Sequence, residues 1–140
     1  ARGAALMMKF WVERTLHPLL SRILMLDIFA AIHEKDKPYF RESREKRFGM
    51  TLEQWSAEPE KYAEQLRSAL EPVRLTVSEQ AFVCGATPAF ADYIVFGALQ
   101  WARCVSPRAL LARDDPVYAW RQRLLDSFDG VAGKCLAREV

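Results

Sequence analysis

The sequence has little of what marks collagen, low-complexity chains or disulfide-rich domains, since it contains six glycines, seven prolines and three cysteines in 140 residues. The cysteines are odd in number and lack a Cys-x-x-Cys spacing, so we expect neither a disulfide framework nor a zinc site. At 51% apolar residues, the chain is too hydrophobic to be disordered. A single domain of this length buries roughly two-thirds of its unfolded surface without covalent staples. These features favour a reducing cytoplasm as the compartment.

A strong charge of one sign is also missing, because 20 Lys and Arg residues face 18 Asp and Glu residues and leave a net charge of +2. Nucleic-acid binders usually carry a clustered basic excess, so we expect no nucleic-acid partner. The one basic stretch, residues 37–47, is interpreted as a solvated helix face. The most apolar run, residues 16–32, is interrupted by Arg22 and Asp27 and makes a poor membrane span.

Motifs that carry complete active sites are not found in the sequence: there is no GxSxG, GxGxxG, Walker or HExxH pattern. His17 and His33 lie sixteen residues apart and are expected on helix surfaces or caps. Cys84, near the start of a predicted helix, has the best setting for a reactive thiol, and its expected role is still structural. We therefore do not expect this chain alone to be catalytic.

Helical spacing of apolar residues dominates what is present. A stripe that begins at Val12 predicts a long helix over about residues 4–32, bent at Pro18. Start signals predict a helix over residues 39–47 and, from a capping box that begins at Thr51, further helix over residues 52–75 with a break near Pro59. A last helix is predicted to begin near Pro116 and to end at Gly130.

The most informative stretch is residues 91–102, ADYIVFGALQWA, in which only Asp92 and Gln100 are strongly polar. A helix that is apolar all round is buried on all sides, and this one is too short to cross a membrane. We interpret Asp92 as a structural cap, because a carboxylate in the first turn can accept the N-cap N–H and close half of a capping box. The predicted fold is an all-α bundle of about five or six helices around one buried central helix.

Two segments, FVCG at 82–85 and PAFADYIVFG at 88–97, resemble the C-terminal helical domain of glutathione transferases. YFRESREKRFG at 39–49, WAR at 101–103 and the W-x-x-R-L-L-D-x-F-x-G pattern from residue 120 are similar to the etherase-like subgroup. The resemblance covers nearly all of residues 4–133, within a single domain of residues 1–140 whose ends, 1–3 and 134–140, are expected to be frayed.

The sequence departs from the family pattern in two respects. Ala89 stands where the family usually has the capping Ser or Thr, so Thr87 could cap instead and start the helix two residues earlier. The thioredoxin-like N-terminal domain, which supplies most of the glutathione site and the thiol-activating residue in the family, has no counterpart in these 140 residues.

The resemblance implies the half of a glutathione transferase that binds the hydrophobic co-substrate and supports a homodimer, with glutathione as co-substrate and no metal. Its substrates would be small aromatic electrophiles or aryl ethers. Family members place the pocket on the domain's first helix and its central helix, which makes Phe10, Trp11, Arg14 and Trp101 the candidates. Packing would explain the three aromatic residues equally well, and a solvated face or an interdomain ion pair would explain Arg14. The alternative function is a non-catalytic helical module for protein docking.

Overall fold

The computed structural model describes residues 2–127, and each regular element within them is helical. Eight α-helices follow one another with a π-helical turn and a 3-10 turn: α1 (Arg2–Trp11), the π turn (Val12–Leu16), α2 (His17–Ala31), the 3-10 turn (Glu34–Asp36), α3 (Lys37–Phe48), α4 (Leu52–Trp55), α5 (Pro59–Ala69), α6 (Glu71–Glu79), α7 (Phe90–Val105) and α8 (Pro116–Ser127). The predicted all-α class is confirmed. Gly130 and the predicted tail at 134–140 lie outside the described residues, and α1 begins at Arg2.

The first long helix runs without a break through α1, the π turn and α2. The sequence predicts a bend at Pro18, and the structure shows a widened turn immediately before it, in which the His17 N–H donates to the Val12 carbonyl. Proline has no N–H, and its ring clashes with the carbonyl four residues earlier in a regular helix. A π turn places an extra residue in the ladder at this point, which relieves that conflict.

The main core is built from the long helix, which packs on α5 and α7, together with α6 and α8, which pack on each other. Its fully covered side chains are mostly branched aliphatic residues, together with one indole, and come from the π turn, α2, α5, α7, α8 and the junction between α5 and α6: Val12, Leu16, Leu20, Leu24, Leu66, Leu70, Val95, Val117, Leu124 and Trp120. Burying a side chain of this size contributes about 1.5–3 kcal/mol, so this cluster supplies most of the drive for folding.

Helix α7 is central, yet one stripe of it is open. Val95, Phe96, Ala98, Leu99 and Ala102 are buried in the core. The positions that are exposed repeat at helical spacing: Phe90, Tyr93, Gly97 and Trp101. The expectation of burial on all sides is therefore wrong for this stripe, because no helix among the described residues covers it.

A second apolar cluster joins α2 to α3 and α4 and is built on Met25, Phe40 and Leu52. The rings of Phe48 and Trp55 stack within it, with centroids 3.9 Å apart and planes 6° apart. The Arg22 guanidinium lies 3.5 Å from the Trp55 ring centroid and donates to the Trp55 carbonyl. These contacts hold α3 beside α2.

Charged groups fasten α3 to α4 at the surface. The Arg41 guanidinium donates to both carboxylate oxygens of Glu53, at 2.8 and 2.9 Å, and to Glu45 at 2.9 Å. The predicted capping box at the start of α4 is confirmed, since Thr51 and Gln54 each accept the other's backbone N–H. The Arg41 hydrogen bonds lower the pKa of Glu53 to about 2 and, reciprocally, raise the pKa of Arg41.

The two cysteines within the described residues are in different states. Cys104 is disulfide-bonded, whereas Cys84 has a free and exposed thiol. The expectation from the sequence concerns a framework of several disulfides, and one bonded cysteine among the described residues does not make such a framework.

Candidate ligand-binding site

Asp92 anchors the start of α7 and is completely buried. Its Oδ1 accepts the Val83 N–H at 2.6 Å and the Trp120 indole N–H at 2.9 Å. Its Oδ2 accepts the N–H groups of Cys84 and Ala89, both at 3.1 Å. Four donors, together with the positive end of the helix dipole, compensate a charge whose burial would otherwise be costly.

The geometry at Asp92 fixes where α7 begins. The N-cap residue is Ala89, whose methyl side chain accepts no hydrogen bond, so the carboxylate supplies the side-chain cap alone. The alternative in which Thr87 caps an earlier start is wrong, since α7 begins at Phe90. The same carboxylate also joins the turn that pairs Phe82 with Gly85 to α8 through Trp120. Asp92 therefore ties three parts of the fold together and sets the position of every later residue on α7.

A pocket of about 560 Å³ lies between α2, α3 and α7, and we call it the Trp101 pocket. Each helix contributes residues at helical spacing: His17, Ser21, Met25 and Ile28 from α2; Phe40, Arg44, Arg47 and Phe48 from α3; Gly97, Ala98 and Trp101 from α7. Apolar and aromatic side chains therefore form much of its wall, with a few polar groups among them. Such a combination is typical of small-molecule sites.

Trp101 lines this pocket and keeps 36% of its surface exposed. Its ring meets the His17 ring edge to face, with centroids 6.4 Å apart and planes at 80°. Gly97, one turn earlier on α7, has no side chain to fill the space, and a Cβ there would meet nothing within 4 Å. The pocket thus has an aromatic rim and an open stretch of helix backbone.

The residues that sequence reasoning missed are His17, Arg44 and Arg47. The basic stretch is predicted to be a solvated helix face, and Arg47 is exposed as expected, whereas Arg44 is half-buried; both arginines line the pocket. Phe40, Arg44, Arg47 and Phe48 repeat at i, i+4, i+7 and i+8, so they share one side of α3. Arginines mixed with aromatic residues on one helical stripe are the signal that was available in the sequence.

The structure does not bring the four predicted pocket residues together. Trp11 is half-buried and lines a separate apolar pocket of about 290 Å³ with Met8 and Val83. Phe10 is 52% exposed and Arg14 is exposed in the π turn, and neither lines this pocket or the Trp101 pocket. Phe10 and Arg14 lie four residues apart and are both exposed, whereas Trp11 turns into the other pocket, so Trp101 is the one candidate that lines the Trp101 pocket.

Residues 5–122 match the model of the family described as glutathione S-transferase, C-terminal domain. The chain belongs to this family. The match extends from α1 into α8 and includes every residue of the Trp101 pocket. A glutathione transferase C-terminal domain therefore accounts for the helical architecture and for the central position of α7.

Two further findings concern metals and membranes. Within residues 2–127, no group of three His, Cys, Asp or Glu side chains is arranged to hold a metal ion. None of the helices in that same part of the chain combines the length and the hydropathy needed to cross a bilayer.

Proposed function

We propose that this chain is the half of a glutathione transferase that binds the hydrophobic co-substrate. In this proposal the enzyme is of the etherase-like kind, conjugates glutathione to aromatic electrophiles or cleaves their ethers, and works as a cytoplasmic homodimer. The observation that carries the proposal is the Trp101 pocket, an aromatic-lined cavity within a domain of this family. Glutathione is the co-substrate, held mainly by a thioredoxin-like domain as in the family.

The described residues supply binding and orientation. An aryl ring lies against Phe40, Phe48 and Trp101, which exclude water from it. The reacting carbon faces the open side near Trp101, where the glutathione thiolate forms the new C–S bond. In ether cleavage the C–O bond breaks as the C–S bond forms, and the aryl oxide leaves and takes up a proton. Stabilisation of the thiolate is the task of the glutathione-binding domain.

Titration of the full chain with benzyl phenyl ether, followed by calorimetry, tests this proposal. We expect saturable binding that Trp101→Leu weakens about tenfold, because the variant loses aromatic contact area at the pocket rim. Phe10→Leu is the matched control, since Phe10 is exposed outside the pocket. Equal affinities for the wild type and Trp101→Leu, or an equal loss in Phe10→Leu, would contradict the assignment.

A second candidate function is a non-catalytic transferase-like module for protein docking. The observation that favours it is a set of exposed apolar side chains on α1 and at the start of α7: Leu6, Met7, Phe10, Phe90 and Tyr93. Exposed apolar surface of this kind marks interaction sites. A docking module has no need for a small-molecule ligand, so failure of aryl compounds to saturate the Trp101 pocket would favour this second function over the first.

A further inference from the structure

The ionisable side chains that line the Trp101 pocket are all basic. Its eleven lining residues include two arginines, Arg44 and Arg47, and one histidine, His17, and none of the eleven is Asp or Glu. The apolar part of the wall, which includes Phe40 and Phe48, cannot compensate this charge. A ligand that fills the pocket therefore meets a positive potential beside an aromatic wall.

The two arginines also differ from others in the same part of the chain. Arg41, on the same helix, is ion-paired with both Glu45 and Glu53. Among the described residues, no carboxylate lies within ion-pair distance of Arg44 or Arg47. Their positive charge is thus left for another partner.

Arg44 is held in place without being neutralised. Its guanidinium lies 4.5 Å from the Phe40 ring centroid, and its Nη1 donates to the uncharged Ser43 hydroxyl at 3.0 Å. A planar guanidinium that is already positioned loses little freedom when it binds a carboxylate through two parallel hydrogen bonds. Arg47 follows three residues later on the same side of α3 and adds a second cation to the lining of the pocket.

We propose that the Trp101 pocket selects aromatic ligands that carry a carboxylate, with the aryl ring on the apolar wall and the anion between Arg44 and Arg47. This inference rests on the proposed function, because it specifies the class of co-substrate that the same site takes. Neutral aryl compounds of equal shape gain the apolar contacts and forgo the charge-assisted hydrogen bonds. The arginines therefore determine specificity in this site.

The experiment compares 2-naphthoate with 2-naphthamide, two probes of nearly the same shape that differ in charge, by calorimetric titration of the full chain. We expect the wild type to bind the carboxylate about tenfold more tightly than the amide. Arg44→Gln and Arg47→Gln should each reduce this ratio, and the double variant should bring it close to one.

Lys46→Gln is the matched control, since Lys46 is an exposed cation on α3 next to Arg47 and does not line the pocket. It should keep the wild-type preference for the carboxylate. If Lys46→Gln loses the preference as fully as Arg47→Gln does, the general positive charge of α3 explains the preference without contact between the carboxylate and Arg47. That result would overturn the proposal. Equal affinities of the two probes for the wild type would overturn it while leaving the proposed function standing. If neither probe binds, the proposed function fails as well.

Discussion

At the scale of single residues, Asp92 shows what a sequence pattern reveals and what it omits. A lone carboxylate in an apolar helix needs hydrogen-bond donors. The N–H of Ala89, three residues earlier, is the donor that the sequence pattern reveals. The other partners, Val83, Cys84 and Trp120, come from a turn and from α8. Sequence reasoning missed them because they become neighbours only when the chain has folded.

This difference changes the expected cost of removing the carboxylate. The cap alone predicts a loss of about 1–2 kcal/mol in Asp92→Ala. Four donors lose their acceptor in a site with no exposed surface, so we expect a loss of about 3 kcal/mol or more in the free energy of unfolding. Urea denaturation measures it, and Asp114→Ala is the control at an exposed carboxylate. A loss below about 1 kcal/mol in Asp92→Ala would contradict the anchoring role.

Of the four pocket residues predicted from the sequence, one lines the Trp101 pocket. Trp101 lines the larger pocket, while Phe10 and Arg14 face elsewhere and Trp11 lies in a different pocket. The choice of these residues rests on a family resemblance, which identifies helices more reliably than the side of a helix that faces a cavity. Arg44, which the sequence pattern assigns to solvent, lines the pocket instead.

At the scale of elements, local signals locate most helices well. The capping box at Thr51 begins α4 as predicted, and Gly49, with φ of 71°, ends α3 in the left-handed conformation. The π turn before Pro18 cannot be predicted from such local signals. A proline shows that the regular hydrogen-bond pattern of the helix is interrupted, but it does not show which local geometry replaces that pattern. The open stripe on α7 escapes sequence reasoning since an all-apolar helix looks the same whether or not a neighbour covers it.

The link between α3 and α4 should be sensitive to acid. Glu53 has its pKa lowered to about 2 by Arg41, so its contribution to stability is present above the ordinary value of 4.5 and is lost as pH falls toward 2. We expect the melting temperature of the wild type to exceed that of Glu53→Gln at pH 7. The gap should narrow steadily between about pH 5 and pH 2. Thermal melts across this range measure it, and a gap that is constant with pH would count against the pairing.

Replacement of glycine by alanine should stabilise the protein at Gly97 and destabilise it at Gly49. A Cβ added at either Gly97 or Gly49 would meet nothing within 4 Å, so the difference between them is one of backbone conformation. Gly97→Ala, inside α7, should raise the free energy of unfolding by about 0.5–1 kcal/mol. Gly49→Ala forces a side chain into the left-handed region and should lower it by about 1–2 kcal/mol. Denaturation curves that move in the same direction for both variants would contradict this conformational difference.

At the scale of the whole molecule, the fold class follows from periodicity, and the site does not. The absence of alternating segments and the length of the helical stripes are enough to predict an all-helical bundle. The Trp101 pocket requires three helices to meet at a particular rotation, and each presents only part of its wall. Rotation of one packed helix against another depends on the interlocking of side chains that are distant in sequence, which a one-dimensional pattern does not contain.

The central claim is that an aromatic ligand binds beside Trp101, and the indole N–H signals of ¹⁵N-labelled protein test it directly. The chain has four tryptophans: Trp120 is bound to Asp92, Trp55 donates to Ser21, and Trp11 lines the other pocket. On titration with 2-naphthoate, we expect the signal of Trp101 to shift most, while those of Trp11 and Trp120 keep their positions. A Trp101 signal that stays fixed while the Trp11 signal moves would contradict the claim.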